Sequence, residues 1–449
     1  MISLAQVKNA ILEGDVNQAD WLMNNLIKQH PNNPVLTLFY INHFIDRNFG
    51  REYLANYQYY IHLCEKLVKN NPQFYSAQVN LARYYIMMGF NEKALELIDK
   101  IPDSVTDYYI LPCKAWAYYQ RKEWARHNSI WDFIAKIIYP SSIVDKQSTL
   151  KKVKKQSIGT NKQSILHFSC CYNEIDKLPF FLNHYRSLGV DVFYIVDNQS
   201  TDGSYEFLLQ QKDVELFSTA ESYRQSVYGV SWINTLINIF ASGQWVIHTD
   251  IDELLIYPNC ESTDLHDFTH LLDSQNQKVV KGFMLDMFPK NIEEFYISKN
   301  LSLQEQHCYF LNNYLFLNDC SFPYQSPRGG IFSVLLNGKN IMLSKTPVFK
   351  TSDKIKLLSS SHITTPPVSI ENIETTCALL HFKLVGNAAQ KFKNEIIRNQ
   401  HADHSSNYKA YSKALQSIGS NADLSKLPNT TKYIDSHHLF QLGLIKDFN

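Results

Sequence analysis

Apolar residues recur at helical spacing through residues 1–140, and strand-like alternation is rare there. Small and large apolar positions repeat in nearly the same frame in two stretches, one from Gly14 to Pro31 and one from Leu81 to Ile98. A repeated frame of this kind marks a helical hairpin that stacks on its neighbours. The pattern predicts an all-α first domain over residues 1–140.

These two stretches resemble tetratricopeptide repeats, in which Gly and Ala let two helices approach closely while large apolar side chains fill the seam. Further units near 34–70 and 108–138 fit this frame loosely. Two interpretations stay open. The region is a helical cap that buries one side of its neighbour, or it offers a concave surface to a protein partner or a polymeric acceptor.

The pattern changes after residue 140. Residues 141–163 are polar and basic without a periodic apolar face, as in a linker. Over residues 164–415 short apolar runs alternate with helical stretches, which predicts an α/β domain with a mostly parallel sheet. Residues 416–449 form a tail. The four clearest predicted strands are ILHFSCC (165–171), VFYIV (192–196), VELF (214–217) and WVIHT (245–249).

Polar clusters follow three of these strands. Asn173 and Glu174 come after the first, Asp197 begins a cluster after the second, and Asp250 and Asp252 come after the fourth. Ligands of open α/β sheets bind outside the carboxyl ends of the strands, so these clusters are expected to converge on one crevice. Asp202, within the second cluster, is expected to shape a turn or a helix start.

Asp250 and Asp252 are two positions apart in an extended segment, so their side chains project to one side and suit one hard cation. A divalent ion held by few carboxylates keeps positions open for substrate phosphates. The pair therefore predicts a site for Mn²⁺ or Mg²⁺.

The segments CYNEIDKLPFFLNHYRSLGVDVFYIVDNQSTDGS and GQWVIHTDIDELLIYP, with a later LHFK, resemble family 2 glycosyltransferases of the GT-A fold. The bacterial subgroup with a D-x-D-E-L-L sequence is the most similar, and the resemblance covers about 164–415. It implies transfer of a sugar from a nucleotide-sugar donor, a UDP-sugar first of all, to a hydroxyl of a glycan of the surface polysaccharide or lipooligosaccharide type, with inversion.

The resemblance also implies roles for the clusters. Asp197 would bind the nucleotide base or ribose, and Asn173 and Glu174 would border the same pocket. Asp250 and Asp252 would lie at the ribose, the metal and the diphosphate. These roles agree with the chemistry, because carboxylates accept hydrogen bonds from ribose hydroxyls and a metal neutralises a departing nucleotide.

The general base has two candidates. Asp286 follows an apolar strand, where burial would raise its basicity, although a capped strand-end Asp explains it equally well. Glu253 is the rival, but in an extended segment it points away from Asp252, which favours a structural pairing.

Three further residues are candidates for the donor site. His381 resembles the late histidine that completes the metal site in many GT-A enzymes, while a core histidine is the alternative. Lys383 shares its strand face and suits a phosphate. Arg328, in the glycine-containing SPRGG, either faces a phosphate or an acceptor or belongs to an ordinary turn.

Composition excludes some classes of function. Lys plus Arg and Asp plus Glu are 43 each in 449 residues, giving a net charge of 0, so no global basic field favours nucleic acid. The eight cysteines form no C-x-x-C pair, and no apolar run reaches the roughly 18 residues that span a bilayer. We expect a cytoplasmic protein, or one peripheral at the inner face of the membrane.

An alternative from another class is a scaffold protein, in which the helical repeats bind a partner and the α/β domain is a degenerate transferase. The intact Asp197, Asp250 and Asp252 argue against it. A nucleotidyltransferase would need a glycine-rich loop after the first strand, and CYNEID has none.

Overall fold

The chain forms two compact units in the computed structural model, and each unit is built from three segments. One, the helical unit, comprises Met1–Ile134, Asn313–Met342 and Ala389–Gly419; the other, the sheet unit, comprises Ala135–Asn312, Leu343–Ala388 and Ser420–Asn449. The structure describes all residues except 1, 14, 46–52, 106–109, 139, 154–157, 292–300, 320–321, 336–340, 353–354, 359–360, 366–374, 387, 418–421 and 448–449.

Helices make up the first segment of the helical unit, as the apolar spacing predicts. They are α1 (Leu4–Leu12), α2 (Val16–Gln29), α3 (Pro34–Tyr40), α4 (Tyr53–Asn70), α5 (Tyr75–Met87), α6 (Asn91–Asp99), α7 (Ile110–Gln120) and α8 (Trp124–Phe133). Side-chain caps begin the first three, because Ser3, Asp15 and Asn33 accept hydrogen bonds from the orphan amides of their first turns. Neighbouring helices pack as the pairs α1 with α2, α5 with α6 and α7 with α8.

The positions that repeat in the sequence frame are core positions. Ala19 and Met23 of α2, Ala82 of α5 and Ala94 and Ile98 of α6 are all buried. Small residues at these points let paired helices approach closely, which confirms the helix packing expected from the pattern. The relationship of these helices to tetratricopeptide repeats stays a prediction.

Two later segments complete the helical unit. They contribute β9 (Leu315–Asp319), β10 (Phe322–Arg328), α14 (Gly330–Leu335), α15 (Ala388–Arg398) and α16 (Ala402–Ser417). β9 and β10 pair antiparallel, and Phe332 of α14 packs on Tyr411 of α16. The sequence pattern assigned these segments to the α/β domain, whereas in the structure they belong to the helical unit.

In the part of the chain that the structure describes, a nine-stranded mixed sheet is the centre of the sheet unit. Its strands are β1 (Lys151–Lys152), β2 (Leu166–Cys171), β3 (Val192–Asp197), β4 (Val214–Ser218), β5 (Trp245–His248), β6 (Glu253–Ile256), β7 (Val279–Asp286), β11 (Ser344–Lys350) and β14 (Thr376–His381). The order is β1-β4-β3-β2-β5-β11-β7-β14-β6. The four predicted strands correspond to β2, β3, β4 and β5, which are mutually parallel where they pair.

Helices and short hairpins surround this sheet. They are α9 (Leu178–Ser187), α10 (Ser204–Gln210), α11 (Val230–Phe240), α12 (Leu265–Ser274), α13 (Leu303–Gln306), α17 (Ser436–Gln441), β8 (Tyr309–Leu311), β12 (Lys356–Leu358), β13 (Ile363–Thr365) and β15 (Thr430–Lys432). Trp232 and Leu236 of α11 pack on Phe168 and Tyr194, whose rings stack 4.8 Å apart between β2 and β3. Continuous apolar strands are typical of a sheet covered on both faces.

The stretch with linker composition packs on the sheet unit. Its residues Lys151 and Lys152 form β1, which pairs antiparallel with β4. Lys152 Nζ lies 2.9 Å from the buried Glu215 carboxylate, and Lys146 forms an ion pair with Glu221. This stretch lacks a periodic apolar face, yet strand pairing and ion pairs attach it to the sheet.

The tail also packs on the sheet unit. β15 pairs antiparallel with β8, and Ser436 at the start of α17 donates its backbone N–H to Glu261 Oε1 at 2.8 Å. Cys64, Cys171, Cys260 and Cys377 are free thiols. No helix among the described residues combines the length and the apolar character needed to cross a membrane.

Candidate active site

The loop between β5 and β6 carries Asp250 and Asp252 at the carboxyl edge of the parallel strands. Ser169 Oγ donates to the backbone oxygen of Thr249 at 2.6 Å, which ties the loop to β2. The buried Tyr185 hydroxyl donates to the backbone oxygen of Glu253 at 3.0 Å and accepts from Leu255 N at 3.2 Å. The loop is therefore anchored at both of its ends, by Ser169 of β2 at one end and by Tyr185 at the other.

A buried lysine lies between a carboxylate of this loop and the carboxylate that begins β6. Lys345 Nζ is 2.9 Å from Asp250 Oδ2 and 2.9 Å from Glu253 Oε1. Burial by itself would raise the pKa of Asp250, but the Lys345 ammonium outweighs it and lowers that pKa to about 2. The two carboxylates in turn raise the pKa of Lys345 against the effect of its own burial. Asp250 and Lys345 are both charged at neutral pH.

Glu253 is fully engaged in this arrangement. Oε1 meets Lys345, and Oε2 accepts a hydrogen bond from the backbone N–H of Asp250 at 3.1 Å. Its side chain is 1% exposed, and burial raises its pKa. The geometry agrees with the structural pairing expected from its direction along the strand and disfavours a role as general base.

His381 is the last residue of β14, where it pairs with Glu253 on one side and Asp286 on the other. His381 Nδ1 donates to Asp286 Oδ1 at 2.6 Å, and Nε2 lies 3.8 Å from Asp252 Oδ2. Burial acts to lower the pKa of His381, but the Asp286 hydrogen bond and the Asp252 charge together raise it. The bond at Nδ1 fixes the ring so that Nε2 faces Asp252.

Asp286 lies at the end of β7, as the sequence predicts, but it is enclosed. Its side chain is 2% exposed, one oxygen accepts from His381, and the other is buried without a hydrogen-bond partner among the described residues. An acceptor hydroxyl has no open oxygen to approach. The predicted role as general base is therefore disfavoured, and orienting His381 fits the contacts better.

The chemistry of these side chains fits one divalent cation in part. Two atoms bound to one ion at about 2.1 Å lie roughly 3 to 4.2 Å apart, and the 3.8 Å between Asp252 and His381 is within that range. The Oδ2 atom of Asp250 already forms an ion pair with Lys345. No group of three or more His, Cys, Asp or Glu side chains in the described ranges is arranged to hold a metal. The residues thus offer two protein ligands, Asp252 and His381.

Asp197 ends β3 on the same edge of the sheet. Its Oδ2 accepts from Ser200 N at 3.1 Å, while its Oδ1 is buried without a hydrogen-bond partner in the part of the chain that the structure describes. Burial raises the pKa of this carboxyl. A buried acceptor with no protein donor suits a hydrogen-bond donor supplied by a ligand.

Asn173 and Glu174 bind the turn after β3. Asn173 has a left-handed backbone with φ of 54°, and its Oδ1 accepts from Thr201 N at 2.7 Å. Glu174 forms an ion pair with Lys177, and its backbone N–H donates to Ser204 Oγ at 2.9 Å. Both residues therefore fix the turn that follows Asp197.

Asp202 bridges the same two loops. It accepts from Ile175 N and from Ser204 N, each at 3.0 Å. The turn-shaping role expected for Asp202 is confirmed.

The last two candidates lie in different units. Lys383 is two residues beyond His381, and its charge acts to lower the pKa of that histidine. In the helical unit Arg328 ends β10 opposite Leu315, and the next residue, Gly329, has φ of 132°. Asn313 Oδ1 accepts from Gly330 N at 3.2 Å, so this glycine turn is closed by a side chain.

The sequence pattern does not point to two residues of the site. Tyr185 recurs at helical spacing with the apolar Phe181 and Leu188, and this pattern gives no sign that its hydroxyl supports the loop. Lys345 precedes an apolar run in SKTPVFK, and only the pairing of β11 with β5 and β7 brings it to Asp250. The available signal was a charged residue next to an apolar run.

The comparisons with known proteins identify no family for this chain. No family model matches the chain, and no curated protein matches it. A solved structure of a mutant of the Thermobaculum terrenum O-GlcNAc transferase aligns at a TM-score of 0.26 and 14% identity, covering 47% of this chain and 40% of that one. A likeness at this level supports no statement about fold or activity.

Proposed function

We propose that the sheet unit is a GT-A glycosyltransferase of the family 2 type, which moves a sugar from a nucleotide-sugar donor to a hydroxyl of a glycan. The observation that carries the proposal is the set of carboxylates and an imidazole at one edge of the sheet. Asp197 ends β3, Asp250 and Asp252 follow β5, and His381 ends β14. Parallel strands of α/β enzymes place their ligand sites at this edge.

Donor recognition is assigned to Asp197 and Asp250. The unpartnered Oδ1 of Asp197 accepts from a base N–H or a ribose hydroxyl, since a carboxylate is an acceptor only. Asp250 has a side chain 47% exposed and a charge fixed by Lys345, so it presents its other oxygen to a ribose hydroxyl. A uridine diphosphate sugar, with an imide N–H on the base, suits this pair of acceptors.

Asp252 and His381 would hold Mn²⁺ or Mg²⁺. When bound, the ion neutralises charge on the departing diphosphate. The chain's own part is to hold the ligand atoms: Asp286 fixes the imidazole from Nδ1, and Phe382 N donates to the backbone oxygen of Asp252 at 2.7 Å. Hydrogen bonds of this kind behind the ligand residues set the direction and affinity of the ligands. Lys383 would add a positive charge toward the phosphates.

The acceptor side is proposed more broadly. Inversion and a surface polysaccharide or lipooligosaccharide acceptor follow from the family resemblance. Neither Glu253 nor Asp286 presents an open carboxylate oxygen, so we assign neither as the group that takes the acceptor proton. Binding of the acceptor or a protein partner by the helical unit, with Arg328 among its residues, is part of the same proposal.

Calorimetric titration with uridine, guanosine and cytidine diphosphates, each with and without Mn²⁺, tests the proposal, followed by hydrolysis assays on the matching nucleotide sugars. We expect one diphosphate to bind more tightly with Mn²⁺. Asp252→Asn should reduce turnover at least a hundredfold with unchanged thermal unfolding, while Asp267→Asn, an exposed residue of α12, serves as the matched control. No binding at millimolar nucleotide would favour the scaffold instead.

A further inference from the structure

Three carboxylates crowd into four positions, with Asp250 and Asp252 in the β5–β6 loop and Glu253 at the start of β6. Like charges at this spacing disfavour one another's ionisation, so a neighbouring positive charge stabilises all three. Lys345 contacts two of them at 2.9 Å each, and its side chain is 7% exposed. The third, Asp252, faces His381 instead.

The fold fixes Lys345 at this point. β11 runs antiparallel between β5 and β7, so its first residues lie beside the carboxyl ends of both neighbours. Lys345 pairs with Gly282, and the register then shifts before Val348. A Cβ on Gly282 would lie 2.8 Å from the Pro347 ring, so glycine is needed for this close approach. The strand register and the close packing at Gly282 therefore fix the position of Lys345 in the sheet.

The two ion pairs have unequal surroundings. Glu253 is 1% exposed and has both oxygens engaged, so its pair with Lys345 is internal. Asp250 is 47% exposed, and Lys345 holds it through Oδ2. Lys345 thus contacts a carboxylate enclosed in the core on one side and a half-exposed carboxylate on the other.

We propose that Lys345 is a positioning residue that divides the work of the three carboxylates. It withdraws Asp250 from cation binding and aims it at the donor ribose, it keeps Glu253 in the core, and it leaves Asp252 with His381 as the cation pair. It also lowers the negative charge that a diphosphate meets on approach. This inference rests on the proposed function and adds an assignment within it.

Lys345→Met tests the division of roles because it predicts changes of opposite sign. Without the ammonium, affinity for Mn²⁺ alone should rise at least threefold, since a positive charge beside the cation site is lost. Affinity for uridine diphosphate at saturating Mn²⁺ should fall at least tenfold, since Asp250 is no longer oriented and the anion loses an attractive charge. Calorimetry of the full chain measures both, with no need for turnover.

Three further variants make the test specific. Lys345→Arg keeps the charge and should restore most of the uridine diphosphate affinity. Lys345→Met with Glu253→Gln keeps the local charge balanced and gives the same two shifts if the single variant does not fold. Lys350→Met, at the far end of the same strand where it pairs with Asp273, removes an ion pair away from the site and should leave both affinities unchanged.

The outcomes separate the two proposals. If the wild-type chain binds no nucleoside diphosphate, the proposed function fails and the inference fails with it. If the wild type binds but the Lys345→Met variant shows unchanged affinities, or a parallel loss of both, the inference alone is overturned. Opposite shifts with recovery in Lys345→Arg support it.

Discussion

His381 Nδ1 and Asp286 Oδ1 lie 2.6 Å apart across the parallel pair β14 and β7. The bond joins the last residues of two neighbouring strands, so the sheet itself sets the direction of the imidazole. Nε2 is left facing Asp252 at 3.8 Å. A carboxylate behind a histidine is how metal sites fix the ring and raise its basicity.

Asp286→Ala should therefore weaken Mn²⁺ binding by about 10- to 100-fold, because the ring loses its orienting acceptor. Asp286→Asn keeps an oxygen at the same place and should lose less. Titration of Mn²⁺ into each variant measures the difference. Equal affinity in the alanine variant and the wild type would contradict the role assigned to this pair.

Asp197→Asn should lower the affinity for uridine diphosphate by at least tenfold, because an amide gives up part of the acceptor surface that the buried carboxylate offers. Mn²⁺ binding without nucleotide should not change, since Asp197 is assigned to the donor base or ribose. Calorimetry distinguishes the two. Glu206→Gln, on the exposed face of α10, is the control.

Tyr185→Phe should destabilise the β5–β6 loop, because Leu255 N loses its acceptor and the backbone oxygen of Glu253 loses a donor. The expected loss is about 1–3 kcal/mol in the free energy of unfolding. Urea denaturation measures it, and hydrogen exchange at the Leu255 amide should speed up. The half-buried Tyr205 provides a tyrosine-to-phenylalanine control in the same unit, and equal effects in both variants would refute the assignment.

His307 predicts a dependence of stability on pH. It is 0% exposed, burial lowers its pKa to about 4, and neither ring nitrogen has a partner among the described residues. The unfolded chain takes up this proton near pH 6.5, so its share of the stability is complete above pH 6.5 and is lost as the pH falls toward 4, by up to about 1.4 kcal/mol per pH unit.

His307→Leu should remove this contribution, giving a shallower fall in the urea midpoint between pH 7 and 5 and a more stable chain at pH 5. The exposed His270 offers a control, and His270→Gln should keep the wild-type slope. An unchanged slope in His307→Leu would show that the buried ring does not carry the effect.

Local features of the sequence were the ones that could be predicted. A short apolar run followed by a polar cluster indicates a strand and its end from the local sequence alone. The strands β2, β3, β4 and β5 and the positions of Asp197 and Asp250 therefore followed from the pattern. Asp250 and Lys345 are 95 residues apart, and nothing near either one marks the other. Their contact depends on the insertion of β11 between β5 and β7, which no periodicity encodes.

The same limit applies to the units. Residues 313–342 and 389–419 have a composition like that of their neighbours, so the pattern placed them in the α/β domain, although they pack with the N-terminal helices. The enclosure of Asp286 is a further example. Its apolar neighbourhood was visible in the sequence, but the histidine that covers it comes from another strand.

The two units are interleaved along the chain, which affects the order in which their parts leave the ribosome and the ways in which the chain can be truncated. It passes from one unit to the other after residues 134, 312, 342, 388 and 419. On the ribosome, β11 and β14 emerge later than the β9–β10 hairpin of the other unit, so the sheet has to wait for its inner strands while that hairpin is already available. Expression of either unit alone would require joining distant segments by new linkers rather than a single truncation.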